Sequence, residues 1–215
     1  MKKSSKKVGV HTIGAPVLRA SNRKVLKLTP AIKEAVKNMW TILEKIHGAG
    51  LSGPQIGLNK RVLIVNTGRI GEVATLFNPE IIWQSDNYTP NEEGCLSIPG
   101  AISKVWRPEK VKIKAMNLKG KIEEIEAGGI FSKALQHEID HLNGILMIDY
   151  SPAEDRRAVL EHFKVAEDNI EYKLLENAPL GLPPEKMAEK TLLYDAAGNV
   201  AGDKATLYDA RGNKV

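Results

Sequence analysis

The sequence predicts an α+β fold with antiparallel sheets, and two observations carry this prediction. Between residues 61 and 126, short apolar runs and alternating apolar and polar residues follow one another, as in strands joined by short turns. Segments with the apolar spacing of amphipathic helices lie before and after this region. Helices that stand apart in sequence from a run of strands are the order expected of an α+β domain.

The first helix is predicted over residues 31–46, where apolar residues recur at positions 32, 36, 39, 43 and 46. Thr29 can cap its start, Pro30 suits its first turn, and Gly48 suits its end. The glycine-rich segment 48–53 has the spacing of a dinucleotide-binding loop, but such a loop needs a strand before it and a helix after it. Here the order is reversed, so no nucleotide site is predicted.

Four strand segments follow. A short apolar strand is predicted at 61–66, and a second at 74–83 is interrupted by Asn78-Pro79, which indicates an edge strand or a bulge. Val111, Ile113 and Ala115 alternate with lysines, and after a turn at 117–120 the partner strand returns at 121–126. A helix is then predicted over 130–142, ending at Asn143-Gly144, and another over about 152–175.

We divide the chain into a catalytic domain at residues 1–184 and a carboxy-terminal extension at residues 185–215. The extension contains two copies of Leu-Tyr-Asp-Ala-x-Gly-Asn, at 193–199 and 207–213. Two copies are too few for a solenoid, so the repeat is either a pair of strand-turn units or a poorly ordered tail.

Composition limits the class of protein. The 215 residues are 42% hydrophobic, enough for a buried core, and the net charge of +5 comes from scattered lysines that do not indicate specific nucleic-acid binding. No apolar run approaches the ~18 residues of a membrane span, and the basic amino terminus is not followed by a secretory apolar segment. The single cysteine fits a reducing compartment, so we expect a cytoplasmic protein.

The most informative motif is His-Glu-x-x-His at residues 137–141. On a helix, residues four apart share a face, so His137 and His141 can bind one metal ion. Glu138 can then reach a water on that metal and act as a general acid or base. The alternative is a pair of ordinary histidines on a partly exposed helix.

Cys95 is the candidate third ligand. With two histidines it gives a three-ligand site with an open position, which is the arrangement of catalytic zinc. The ligand types also suit iron, cobalt or nickel, so they do not fix the metal. The alternative is a small buried hydrophobic residue, but the adjacent Gly94 favours close approach of the backbone to another group.

Three spaced segments resemble the peptide deformylases, which remove the formyl group from the initiator methionine of new bacterial polypeptides. The family motifs are G-x-G-L-A-A-x-Q, E-G-C-L-S and Q-H-E-x-D-H-L, and they match residues 48–55, 93–97 and 136–142 in that order. The resemblance covers residues 8–165, with weaker matches at 16–19 and 107–111. Ser52-Gly53 replaces the usual Ala-Ala pair, and we expect Gly53 to loosen this loop by about 1 kcal/mol relative to alanine.

The resemblance implies a fold and a role for each of the site residues. The fold is a compact α+β domain whose central helix carries both histidines. The side-chain amide of Gln55 and the backbone N–H of Leu96 would stabilise the formyl oxygen together with the metal. Glu138 would take a proton from water and pass it to the leaving amine, and the products would be formate and a free amino-terminal methionine.

The resemblance also implies how substrate and metal bind. Gly50 and Gly94 would offer backbone hydrogen bonds to the peptide. The methionine side chain would enter an apolar pocket partly lined by Ile130, Ala134 and His137. Fe²⁺ is the ion expected physiologically, and Zn²⁺, Ni²⁺ or Co²⁺ could replace it. The partners would be N-formylmethionyl nascent peptides and, through them, the ribosome.

Two other classes remain open from sequence. An ordinary metalloprotease of the His-Glu-x-x-His type could take its third ligand downstream, where Glu154, Glu161 and His162 are available. A non-enzymatic binding protein on the same scaffold would be expected to lack a ligand or the glutamate, and neither is missing here.

Overall fold

Two antiparallel sheets and three α-helices make up residues 9–166 and 191–193, the part of the chain that this computed structural model describes. The larger sheet has the order β1-β2-β3-β6-β7, with bounds Gly50–Ser52, Val62–Asn66, Val73–Gln84, Lys110–Met116 and Ile122–Gly128. The smaller sheet has the order β4-β5-β8, with bounds Tyr88–Cys95, Ile98–Pro108 and Thr191–Leu193. The helices are α1 (Pro30–Ile46), α2 (Gly129–Leu142) and α3 (Ala153–His162). The predicted fold class is confirmed.

Helix α1 forms where the apolar spacing predicts it. The Thr29 hydroxyl accepts a hydrogen bond from the Ile32 N–H at 3.3 Å, and Pro30 is the first helical residue. Four of its apolar residues are buried against β1, β2 and β3, whereas Ile46 is exposed. The helix ends through a left-handed residue, but this residue is His47 with a φ of 52°, and not Gly48 as the sequence suggested.

Strand β3 contains the irregularity that Asn78-Pro79 predicts. The pairing register with β6 shifts between Phe77 and Glu80, and Asn78 has a φ of 51°. The Asn78 side chain exchanges two hydrogen bonds with the Val25 backbone, at 2.7 and 2.8 Å. The bulge is therefore confirmed, while the edge alternative is wrong because β3 lies between β2 and β6.

Strands β4 and β5 are a long hairpin that the sequence analysis missed. They pair from Tyr88 opposite Pro108 to Gly94 opposite Ile102, with a register shift before Cys95. The β4 sequence contains a proline, two glutamates and an asparagine, so it lacks the apolar alternation of a typical strand. Pairing with β5 compensates for this weak local preference and places Cys95 at the end of the strand.

Helix α2 contacts strands of both sheets: β1, β2, β6 and β7 of the larger sheet and β5 of the smaller. Its apolar face, Phe131, Leu135, Ile139 and Leu142, packs on the larger sheet. The helix ends at Asn143-Gly144 as predicted. Gly144 has a φ of 77°, and an added Cβ there would lie 2.6 Å from the Arg19 carbonyl oxygen.

Helix α3 is shorter than predicted. It ends at His162, although the sequence suggested a helix to about residue 175. The Val165 N–H bonds to the Leu160 carbonyl and the Lys164 N–H to the Glu161 carbonyl, with Lys164 left-handed at φ 53°. This is a Schellman termination, and the usual sequence signal for it is a glycine where this chain has lysine. Residues 167–175 of the prediction lie outside the described residues.

Part of the predicted extension belongs to the smaller sheet. Strand β8 pairs antiparallel with β5, Leu193 opposite Ala101 and Thr191 opposite Ser103. The two-copy repeat lies outside the described residues except for Leu193, its first member. No helix in the described part of the chain is long and apolar enough to span a membrane.

Candidate metal centre and active-site cleft

Cys95, His137 and His141 meet in one buried cluster. Their ligand atoms all lie within 4.8 Å of one another, and Cys95 Sγ is 3.2 Å from His141 Nε2. The two histidines stand one turn apart on α2 with their ring centroids 5.0 Å apart, while Cys95 comes from the end of β4. Among residues 9–166 and 191–193, no other group of this kind occurs, and Glu154, Glu161 and His162 on α3 do not join it.

The chemistry of this cluster fits a divalent metal ion. His137 Nδ1 lies 2.9 Å from Glu93 Oε2, so its Nε2 is left for a metal, the usual carboxylate–histidine–metal arrangement. Burial opposes charge on His137, yet the hydrogen bonds and negative charges of Cys95 and Glu93 raise its pKa well above its ordinary value. The groups around the His137 ring therefore stabilise a positive charge at its position. Burial lowers the pKa of His141, which keeps its imidazole neutral as a ligand requires.

A buried network of charged and polar groups lies beside the cluster, and we call Glu93, Arg107, Asp140 and Tyr150 the Arg107 network. The guanidinium donates to Glu93 Oε2 at 2.8 Å and to Asp140 Oδ2 at 2.9 Å, and the Tyr150 hydroxyl donates to Asp140 at 3.0 Å. Burial alone would raise the pKa of Glu93, but the charge and hydrogen bonds of Arg107 hold it below its ordinary value. Glu93 is therefore an anion that can orient His137.

The sequence analysis did not assign these four residues a role. Glu93 and Asp140 lie inside the motifs that contain Cys95 and His141, and Arg107 begins a weaker match to the family. The available signal in the sequence was a charged residue inside each of these motifs, whose other residues are mostly buried. Only the fold brings β4, β5 and α2 together around Arg107, which is 2% exposed.

Glu138 lies beside the cluster in a confined space. Burial raises its pKa to about 7, against the opposing effects of the His137 charge and a hydrogen bond from Ser52. Its Oε2 is buried and has no hydrogen-bond partner among the described residues. An added Cβ at Gly50 would lie 2.5 Å from Glu138 Oε1, so a residue with a side chain at position 50 would displace the carboxylate.

Gln55 is held with its amide nitrogen towards Cys95. Its Oε1 accepts hydrogen bonds from the Ser52 N–H at 2.8 Å and the Ser52 hydroxyl at 2.9 Å. Its Nε2 lies 3.3 Å from Ser97 Oγ and 3.9 Å from Cys95 Sγ. The side chain is almost fully buried, and its donor group is directed at the metal cluster.

Gly53 does not loosen this loop, contrary to the sequence expectation. Residues Gly53–Ile56 form a short 3-10 helix, and an added Cβ at Gly53 would lie 2.5 Å from the Lys60 carbonyl oxygen and 2.9 Å from that of Leu58. The glycine therefore allows the loop to pack closely on the segment that precedes β2.

An open cleft of about 550 Å³ leads to the cluster. Its lining includes most of the residues that the sequence analysis singled out: Gly50, Gln55, Gly94, Cys95, Leu96, Ile130, Ala134, His137 and Glu138. His141 is not part of this lining and lies buried behind the cleft. Asn91, Glu92 and Lys133 also line the cleft and were not predicted.

A Cys-His-His centre next to a buried glutamate, at the base of an open cleft in an α+β fold, defines a metal-dependent hydrolase. The polypeptide deformylase family model matches residues 8–157. The chain belongs to this family, whose members remove the amino-terminal formyl group from nascent peptides and depend on a metal ion.

Individual relatives agree with this assignment. A peptide deformylase of Halothermothrix orenii is 44% identical over 140 residues, covering 65% of this chain and 90% of the relative. The crystal structure of the enzyme from Ehrlichia chaffeensis superposes with a TM-score of 0.70 at 28% identity, covering 73% of this chain and 94% of that one. The Synechococcus elongatus enzyme in complex with actinonin gives 0.69 at 28% identity, covering 78% and 93%.

Proposed function

We propose that the chain hydrolyses formyl-methionyl peptides with Cys95, His137 and His141 as metal ligands. The observation that carries this assignment is the convergence of these three ligand atoms beside Glu138 at the base of the cleft. A divalent ion held there would lower the pKa of a bound water and polarise the formyl oxygen. Every other step is carried out by side chains and backbone groups of the chain itself.

Glu138 moves the proton. With a pKa of about 7, its carboxyl can accept a proton from water and return it near neutral pH. It takes the proton as the water attacks the formyl carbon. It then delivers this proton to the amine as the carbon–nitrogen bond breaks, which releases formate and the free methionyl amine.

Gln55 and Leu96 stabilise the charge that develops on the formyl oxygen. The Gln55 Nε2 already faces the cluster, and the backbone N–H of Leu96 follows Cys95 directly at the edge of the cleft. Donors that are in place before the reaction stabilise such an oxyanion without reorganisation.

The peptide binds between two strand edges. Strand β1 is the edge of the larger sheet and β4 is the edge of the smaller one, and Gly50 and Gly94 on these strands both line the cleft. An extended peptide can add to such edges through backbone hydrogen bonds. The methionine side chain is then directed to Ile130, Ala134 and His137 on α2.

The ion and the cellular setting follow from the substrate and the ligands. A thiolate with two imidazoles suits Fe²⁺, which we propose as the physiological ion, and also Zn²⁺, Ni²⁺ or Co²⁺. Formylated chains emerge from the ribosome, so the enzyme acts in the cytoplasm and contacts the ribosome or the chain leaving it.

Formate release from formyl-Met-Ala-Ser tests the activity directly, with acetyl-Met-Ala-Ser as the matched control peptide. The free methionyl amine, which is a product of both peptides, compares the two rates. We expect turnover of the formyl peptide after loading with Fe²⁺ without oxygen, and at least tenfold slower turnover of the acetyl peptide because its extra methyl group crowds the reacting carbon. An absence of formate with each of the four ions would contradict the proposed activity.

The ligand assignment is tested by Cys95→Ser. A serine hydroxyl is a harder and much less acidic ligand, so we expect the variant to lose stoichiometric metal binding. Elemental analysis of the purified protein measures this, with Ser97→Ala as a control two residues away. Full metal occupancy and unchanged turnover in Cys95→Ser would remove Cys95 from the metal site.

A further inference from the structure

We propose that Ser52 is a positioning residue that sets the orientation of the Gln55 amide. The inference rests on the proposed role of Gln55 as a donor to the formyl oxygen. Both hydrogen-bond donors of Ser52 reach one atom, Gln55 Oε1: the backbone N–H at 2.8 Å and the hydroxyl at 2.9 Å, and the hydroxyl also acts on Glu138. Neither residue is accessible to water, with Ser52 at 0% and Gln55 at 1% exposure.

Orientation matters because the two ends of an amide have opposite functions. The NH₂ group donates and the oxygen accepts, so only one of the two flipped orientations presents a donor to the substrate. In the flipped orientation, the Gln55 NH₂ would face the Ser52 N–H, and both of these groups are donors. The Ser52 hydroxyl adds a second hydrogen bond that stabilises the orientation with Nε2 towards Cys95.

The opposite end of the amide is also restrained. Gln55 Nε2 lies 3.3 Å from the hydroxyl of Ser97, which is fully buried and can accept one of its two protons. The second proton is directed at Cys95 Sγ, 3.9 Å from Nε2, in the lining of the cleft. Two serines from different elements, β1 and the turn after β4, therefore restrain the amide from both ends.

The close packing of Gly53 keeps Ser52 in place. Because a Cβ at Gly53 would lie 2.5 Å from the Lys60 carbonyl, the loop backbone is held against this segment, and the Leu58 N–H bonds to the Gly53 carbonyl at 2.9 Å. Ser52 and Gly53 are the two positions at which this chain departs from the Ala-Ala pair of the family motif. Both departures serve the same function: Gly53 lets the loop pack closely, and Ser52 supplies the additional donor.

A double-mutant cycle tests the inference on the full-length, metal-loaded enzyme. The variants are Ser52→Ala, Gln55→Leu and the double variant, each measured for kcat and KM on formyl-Met-Ala-Ser, metal content and melting temperature. We expect Ser52→Ala to lower kcat about three- to tenfold, the range for one hydrogen bond, with KM and metal content unchanged. In the Gln55→Leu background the same substitution should have no further effect on kcat, because the amide that Ser52 orients is absent.

Ser103→Ala is the matched control, since Ser103 is equally buried but lies on β5 and is not part of the cleft lining. It should leave kcat unchanged. The inference is overturned if Ser52→Ala keeps the full kcat, or if it lowers kcat equally with and without Gln55, which would indicate a structural role or an effect through Glu138. If Gln55→Leu alone keeps full activity, the proposed role of Gln55 fails and the inference fails with it. This result can be distinguished from the one in which only the proposed role of Ser52 is wrong.

Discussion

At the scale of single residues, buried charges surround the proposed metal centre. Glu93 and Arg107 are both ionised and almost fully buried, and Asp140 completes the contact on the other side of the guanidinium. Such groups are stable in a protein interior only when they are paired and hydrogen-bonded. Removal of one partner leaves the charges of the others buried and unpaired.

Arg107→Met should therefore destabilise the fold strongly. It leaves Glu93 and Asp140 buried without a cation, and we expect the free energy of unfolding to fall by about 3–5 kcal/mol. Urea unfolding followed by circular dichroism measures this change. The control is Lys112→Met, which breaks the solvent-exposed pair with Glu126 and should leave the urea midpoint nearly unchanged. Equal small effects in both variants would mean that the Arg107 network is not needed for stability.

Glu138→Gln separates catalysis from metal binding. Glutamine keeps the size of the side chain but cannot accept the proton, so we expect kcat on formyl-Met-Ala-Ser to fall by about 10²–10⁴. The metal content should stay at the wild-type level because Glu138 is not one of the ligands. Steady-state kinetics and elemental analysis on the same preparation measure both quantities. Near-normal turnover would show that another group moves the proton.

At the scale of elements, local signals predicted some parts of this protein and long-range pairing determined others. Helix α1 has its cap and its apolar face within one segment, and the two histidines of α2 form one short motif, so the helix and the pairing of the histidines on one face could be predicted. Strands β4 and β5 have little apolar alternation and form through pairing with each other. The role of Arg107 could not be predicted for the same reason, because its partners come from β4 and α2.

The loop between β1 and β2 gives a prediction at this scale. Gly53→Ala places a Cβ 2.5 Å from a backbone oxygen, so the loop must shift, and we expect a loss of about 1–3 kcal/mol in stability. Gly128→Ala is the control, since its Cβ would meet only the Lys110 side chain at 3.7 Å. Thermal unfolding of the two variants compares them. An unchanged melting temperature for Gly53→Ala would mean that the close packing does not restrain the loop.

At the scale of the whole molecule, our prediction is a division of the chain near residue 184. Among the described residues, the candidate metal cluster, the cleft and three apolar clusters lie within residues 9–166. The extension contributes β8, whose pairing partners Ala101 and Ile102 also line the cleft. The extension therefore adds backbone hydrogen bonds to one wall of the cleft without supplying an assigned site residue.

A chain that ends after Pro184 should still fold, bind metal and deformylate a short peptide at nearly the full rate. Because β5 loses β8, one of its two partner strands, we expect a somewhat lower melting temperature than for the full chain. Formate release, elemental analysis and thermal unfolding compare the two proteins, and light scattering shows whether the oligomeric state differs. A large loss of turnover with the metal still bound would mean that β8 is needed to form the cleft, and the division of the chain would be wrong.

The Arg107 network also has a consequence for how the enzyme acquires its ion. In the smallest zinc domains, the free energy of metal binding is the free energy of folding. Here Arg107 joins β4 to α2, the two elements that carry the ligands, and apolar clusters stabilise the rest of the domain. We therefore expect loading and folding to be separate events, so that a lost ion can be replaced on a folded chain. We then expect the bound ion to follow the cell's supply of metals and the preference of the proposed thiolate–imidazole site among them.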